Sequence, residues 1–568
     1  EAGGSSTYAV RLVSFEYSTE QAYILEFGDG YIRVFKDNGQ VLIAGPAVYE
    51  ITANVDYDPQ LLNKLKFTQS ADVLYITHNS YPPKKLLRYA DDNWVLETID
   101  FLDGPYLSAN NTSYMRRSTA FTITPSAATG TGITLTAGPS VSITGTASLG
   151  GLIKITSTSH GYLTGDPVYI AGVTGTTEAN GSWIITKVDD NNYTLNGSTF
   201  TNAYVAGGTS RPGIFYGPMD SGTLVRVKEG SVWGWAKITS NTNSSVVVAD
   251  VKSTLTNTSA KSTWRIGVFS VGSYPSCSVF HEDRLFFAGS YNNPQRIDGS
   301  NTGDYENFAP SDTAGTSTAA SALGFVLNSN DVNAVQWMTS DEKGLLAGTL
   351  GSEWVIRPSS QSEALSSTNI SAKRTTSYGS ADIQALQVGK SSLFVQRAGR
   401  KVRELTYFYD VDGFQAPDIS ILAEHITATG IVGLAFQKEP QTIVWMCLND
   451  GSLIGMTYER SIDGLKVGFH RHTVAGVSDA AGNPAEVESV AVIPSADGTR
   501  DEVWVAVKRY VNGATVRHIE YLNPLFDRES RQYAAVFLDA SLTLNLPRAI
   551  EGVTNASPGV VTVTTHGL

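Results

Sequence analysis

Residues 276–308 read SCSVFHEDRLFFAGSYNNPQRIDGSNTGDYENF. A β-rich run, Asp283–Gly289, meets a turn of Gly, Asn and Pro residues, and a second short run follows. Apolar runs of this length bounded by turn residues read as a hairpin. The shape recurs in Asp72–Trp94, Ser392–Phe408, Thr442–Glu459 and Glu502–Tyr521, and in shortened form in Gly344–Ile356. Asp450-Gly451 and Asn512-Gly513 are the strongest of the turn signals. A hairpin cannot bury its own apolar face, so hairpins repeated along one chain must pack on each other. Spacings of roughly 45–60 residues suit the blades of a radial repeat. The expected fold class is all-β, a degenerate β-propeller-like core interrupted by inserted small β domains.

Composition agrees with this reading. Of 568 residues, 41% are hydrophobic and only 17% charged, and 53 are glycine. Thr, Ser, Asn and Gly take the place of charge, as turn-rich β structure requires and helices do not. Net charge is −13, without a long basic run, which argues against tight electrostatic binding of nucleic acid. An acidic wall along which DNA slides without sticking is compatible with it. Two cysteines, Cys277 and Cys447, define no disulfide framework and sit in or beside apolar runs, as buried free thiols. No stretch approaches the ~18 apolar residues of a membrane span, and the start carries no signal peptide. Val561–Leu568, VTVTTHGL, resembles Ile155–Leu163, ITSTSHGYL, so the chain is expected to be a portion of a longer polypeptide.

The domains expected are five. Residues 1–117 hold the first propeller strands and a blade, with a short helix opened by the cap Asp58-Pro59. From Ser118 to Ile153 no residue is charged, and Thr alternates with Val, Ile and Leu. That pattern marks an inserted Thr/Gly-rich β domain over 118–210. Residues 211–270 form a small barrel-like unit. The remaining blades fill 271–540, with a helix expected at Ala314–Leu327, and 541–568 begin a second, truncated insert.

Several residue groups invite chemistry. His281-Glu282-Asp283 and His470-Arg471-His472 each place two ligand types on one face of a strand, which holds zinc only with a third ligand from elsewhere. Asp410-Val411-Asp412-Gly413 begins like a calcium loop, but no Glu occupies the twelfth position, and a β-turn is the expected reading. Asp72, Asp283 and Asp501-Glu502 each start a blade strand, in a register where paired carboxylates of a glycoside hydrolase would stand. Turn formation explains the same residues. Basic pairs lie at Lys84-Lys85, Arg116-Arg117 and around the turn Arg397, Arg400, Lys401 and Arg403. No nucleophile elbow, phosphate loop or dinucleotide fingerprint occurs. The residues assign no catalytic, cofactor-binding or metal site, and no cofactor.

The ordered set of motifs resembles the tail nozzle family of short-tailed bacteriophages, also called tail tubular protein B. AYILEFGDGYIRVF (Ala22–Phe35), FTQSADVLYITHNSYPPKKLLRY (Phe67–Tyr89), Trp94, Asp103-Gly104-Pro105 and RLFFAG…DYENF (Arg284–Phe308) carry the likeness. GTLGSEWVI (Gly348–Ile356) and VWMCLNDGSLIGMTYER (Val444–Arg460) complete it. HGYLTGDPVYIAGVTGTTEANGSW (His160–Trp183) is similar to the FCCH-like modules of phage structural proteins; the likeness implies no ubiquitin chemistry, since the stretch has no cysteine. The resemblance implies a non-enzymatic virion protein of the phage tail. It implies a homohexamer below the tail adaptor ring, with DNA passing through unbound and fibres or tip proteins attached around it. A glycan-degrading enzyme on a propeller, or a carbohydrate- or receptor-binding module in the inserts, is the alternative.

Overall fold

A computed structural model of the protein describes residues 8–523, apart from 19, 44–46, 113–119, 218–220, 330–332, 361–362 and 462–463. Among the described residues nine β-sheets form, and seven of them are antiparallel meanders of chain-adjacent strands. These seven are the blades, numbered 1 to 7: residues 11–51, 66–98, 277–326, 335–376, 386–415, 431–472 and 486–521. The repeating hairpin of the sequence is the second and third strand of each blade. In blade 3 these are Arg284–Ser290 and Asn293–Gly299.

The second strands explain the packing. Ala22–Gly28, Arg284–Ser290, Gly344–Thr349 and Ile443–Leu448 are buried along their whole length. A continuous apolar run marks a strand covered on both faces. Side chains alternate between those faces, so successive residues enter different interfaces. Phe286 joins the core between blades 3 and 4, and Phe287 the core between blades 2 and 3. Leu346 packs towards blade 5, and Phe394 answers it from there. Met446 faces blade 5 and Trp445 faces blade 7. Trp504 of blade 7 meets Ile24 and Phe35 of blade 1, while Tyr23 and Leu25 turn to blade 2. Seven hydrophobic clusters thus link seven blades into a closed ring. Outer strands are half-solvated: Gly464–His472 alternates between exposed and partly buried residues.

Tight turns hold the registers. Glu282 and Asp283 join His281 to its partner Arg284, both with positive φ (45° and 57°), as a primed two-residue turn requires. Asn512 and Gly513 do the same between Val511 and Ala514, with φ of 52° and 85°.

The connection from blade 2 to blade 3 carries two nested barrels. The outer one has six strands, Thr122–Pro125, Ile133–Gly138, Val246–Ser253, Val232–Asn243, Leu224–Glu229 and Thr263–Ile266, in that spatial order. It closes where Ile123 and Lys261 exchange backbone hydrogen bonds of 3.0 and 2.9 Å. The inner barrel, residues 141–212, closes because one run pairs at both ends. Val141–Ser142 lies against Thr209–Pro212, and Gly145–Leu149 against Leu152–Thr156. A single hydrophobic core, including Phe121, Tyr162, Tyr193 and Trp264, runs through both barrels.

Some sequence expectations differ from this arrangement. The boundary at 210 does not separate two sheets, because Ile133–Thr136 pairs with Val246–Ala249. Local patterning marks strands but not their distant partners. Ala314–Leu327 holds no helix: Leu323–Val326 is the outer strand of blade 3, paired with residues 296–299. The helix after Asp58 is a single 3₁₀ segment, Pro59–Lys64, capped by the Asp58 carboxylate accepting from Gln60 N. The expected second insert at 541–568 lies outside the described residues, as do Arg116 and Arg117.

Candidate functional site

The first strand of each blade faces the axis. Together these inner strands enclose a cavity of about 890 Å³, with contributions from blades 1, 2, 5, 6 and 7. A smaller one of about 220 Å³ adjoins it, lined by Lys66, His78 and Asp382. The Lys66 ammonium pairs with the Asp382 carboxylate, reaching from blade 2 to the segment entering blade 5. That contact crosses the ring, so it pins the bore. Arg11 donates to the carbonyls of Leu62 and Asn63 and lies over the Phe67 ring. Burial lowers its guanidinium to about 10, against the opposing pull of Asp382. Glu488 takes a bidentate pair from Arg517 at 2.7 and 3.0 Å, and Glu486 pairs with Lys508 at 3.0 Å. Burial pushes the His78 imidazole down to about 4, and its Nδ1 accepts from Ser80 N at 3.1 Å. The bore therefore carries charges of both signs, three of its carboxylates paired with lysine or arginine.

A second constellation fastens the outer barrel to blade 3. Arg226 is 1% exposed and donates to the carbonyls of Ser311 and Asp312 at 2.9 and 2.8 Å. Its guanidinium stands 5.2 Å from the Trp233 ring and 5.6 Å from Trp235. Arg265 and Lys228 crowd the Trp233 ring from 5.4 and 5.7 Å. Trp233 N donates to Thr313 O at 2.7 Å, and Trp235 Nε1 to Leu102 O at 3.0 Å. Phe308 N closes onto Asp103 O at 2.7 Å. Stacked cations and hydrogen bonds to partly exposed loop carbonyls hold the joint at several points.

The sequence-predicted residues are scattered. His281 Nδ1 lies 2.9 Å from Ser340 Oγ, while Asp283 accepts from Tyr305 at 2.8 Å in its own blade. Asp72 pairs with Arg88 at 2.7 Å. Asp501 accepts from Lys438 N and Glu439 N at 2.6 and 3.1 Å, and Glu502 lies 3.3 Å from Trp504 Nε1. None of these carboxylates shares a partner with another. Asp412 terminates a 3₁₀ turn in the left-handed region, φ 44°, and accepts from Tyr407. Lys401 is taken by Asp418 and Glu424, and Arg403 stacks on Tyr378, whereas Arg397 and Arg400 are exposed. Cys277 and Cys447 are buried free thiols, pushed up to about 11 and about 12 by desolvation. His470 and His472 do come together, at 2.7 Å, and burial lowers both imidazoles. Among the described residues no three His, Cys, Asp or Glu side chains group to hold a metal ion. No helix there is long and apolar enough to cross a membrane.

Sequence reasoning missed the buried carboxyl groups at the blade interfaces. Glu404, wholly buried, accepts from Ser391, Tyr458 and Arg460 Nε at 2.8, 2.7 and 2.7 Å. Glu353 accepts from Ser380, Thr376 and Tyr378 N in the next interface. The available signal was a lone acid inside an apolar strand, as in VRELTYF.

The fold defines a class: a propeller-like ring of seven blades bearing a double-barrel insert. No protein-family model and no curated protein matches the sequence. Solved structures that align with it include a candidate 6-phosphogluconolactonase from Bacteroides uniformis, at 10% identity and a TM-score of 0.27. That match covers 63% of this chain and 99% of the other. A Lactobacillus plantarum protein aligns at 12% identity and 0.25, over 63% and 99%. A candidate 6-phosphogluconolactonase from Bacteroides fragilis aligns at 10% and 0.25, over 63% and 98%. Likeness at this level says nothing about the chemistry of this chain.

Proposed function

We propose that the protein is a structural virion component, a tail-nozzle subunit of a short-tailed phage, and not an enzyme. The observation carrying this reading is the joint between ring and insert: Arg226, Trp233 and Trp235 hold a lateral double barrel to a closed propeller at several points. A wall that bears pressure needs closed sheets and fixed attachments. The propeller bore is crossed by Lys66 and Asp382, and a duplex whose major groove alone is ~12 Å wide has no path there. DNA then passes between copies, through the hole of a homohexameric ring below the adaptor. A net charge of −13 opposes trapping of the passing duplex. The insert offers the surface for fibres or tip proteins.

The test is mass and negative-stain shape of the purified protein, alone and with its candidate adaptor ring. Closed rings with a central hole, seated on the adaptor, are expected. A monomer that never joins the adaptor at any concentration overturns the reading.

A further inference from the structure

The outer strand of blade 6, Gly464–His472, brings His470 and His472 to one face, two positions apart. Their ring centroids are 4.9 Å apart, and His470 Nδ1 lies 2.7 Å from His472 Nε2. The strand is the edge of its sheet among the described residues. Trp445 walls one side, its ring 4.7 Å from His472 and 6.2 Å from His470. Gly455, the cross-strand partner of His470, lies beneath it; a methyl there would sit 2.0 Å from His470 Cε1. That glycine lets the ring lie down along the sheet, which turns Nδ1 towards its neighbour. The other nitrogen, Nε2, stands 3.3 Å from Thr457 Oγ1.

We propose that His470 and His472 chelate one divalent late first-row transition-metal ion through Nδ1 and Nε2, with water completing the shell. Neutral imidazole suits copper and nickel, and the general affinity order makes copper(II) the tightest. Two facing nitrogens in the neutral pair share one proton. On binding, a proton held at His470 Nδ1 moves to its Nε2, where Thr457 Oγ1 accepts the new hydrogen bond; no net proton is released. Both lone pairs then point at the ion. The nitrogens part from 2.7 Å to roughly 3 Å, as ~2.0–2.1 Å metal–nitrogen bonds require. Small side-chain rotations on an uncovered strand supply that movement. Thr457 and Gly455 are positioning residues, which orient a ligand from behind.

The experiment titrates copper(II) into the whole protein, read by calorimetry and electron paramagnetic resonance. One equivalent bound with two-nitrogen hyperfine coupling is expected, and His470→Gln or His472→Gln abolishes that signal. His425→Gln, at an exposed histidine outside the pair, leaves it intact. Gly455→Ala keeps both imidazoles but displaces one, and is expected to weaken binding by about 10–100-fold. Circular dichroism checks that each variant folds. Copper binding unchanged in the His470→Gln/His472→Gln variant, or undiminished in Gly455→Ala, overturns the proposal. A one-nitrogen spectrum in the unaltered protein overturns it as well, independently of any variant.

Discussion

Ring closure depends on one interface, and Trp504→Ala tests it. Blades 1 and 7 come from opposite ends of the described residues, and among those residues no shared strand bolts them together. The joint is apolar: Val10, Leu12, Ala22, Ile24 and Phe35 against Ala491, Ile493, Trp504 and Ala506. One hydrogen bond, Leu12 N to Ser489 Oγ at 2.9 Å, adds to it. Trp504 is 2% exposed, with Phe35 at 5.9 Å and Tyr521 at 5.3 Å. Removing an indole deletes ~200 Å² of buried surface, worth about 5 kcal/mol at ~25 cal/mol/Å². A compact unfolded chain reduces that by ~10–40%, to about 3–4.5 kcal/mol. Tryptophan-to-alanine changes in cores cost ~3–5 kcal/mol, in agreement. The assay is native-state hydrogen exchange by blade. Residues 11–51 and 486–521 should lose protection first, while blades 3 to 5 keep theirs. Equal loss of protection in all blades, or none in blades 1 and 7, refutes closure through this joint.

Other outcomes follow from the same structure. Glu404→Ala takes an acceptor from buried Tyr458 and from partly exposed Arg460 and should lower stability by about 1–3 kcal/mol in urea unfolding. Cys277 and Cys447, raised to about 11 and about 12, should resist a thiol-specific disulfide reagent at pH 8 in the native state and react fully on denaturation. His78 is held neutral by burial, its folded value near 4 lying below the ordinary 6.5. The unfolded chain therefore binds more protons between those limits, and stability falls as pH drops through that window. His78→Gln should flatten that part of the curve of urea midpoint against pH. Excising 118–210 removes two of the six strands of the outer barrel and should give insoluble protein. Excising 141–212 removes none of them and should leave the blades and the outer sheet folded, as judged by near-ultraviolet circular dichroism.

The hairpins were legible because their signals are local. Gly28-Asp29-Gly30, Asp450-Gly451 and Asn512-Gly513 mark turns within a few residues of the strands they join. Apolar runs such as IVWMCL announce strands covered on both faces. The outer strand at Leu323–Val326 was not legible, because four residues after a long excursion carry too little periodicity. The buried acids were visible only as exceptions to hydrophobicity. The strand around Glu404 marks it as an exception, but nothing local names Arg460 of the next blade as its partner.

By itself, the sequence determined the all-β class, the blade hairpins, the insert between two blades and the buried thiols. Each follows from spacing, turn chemistry or apolar runs within short windows. Tertiary structure alone decided that seven blades close, that Trp504 meets Ile24 across the whole chain, and that 122–138 joins the sheet of 224–266. It alone decided that His470 lies flat over Gly455 beside His472. These are non-local pairings, set by which faces remain to be buried once the hairpins exist, and no short window of sequence contains both partners.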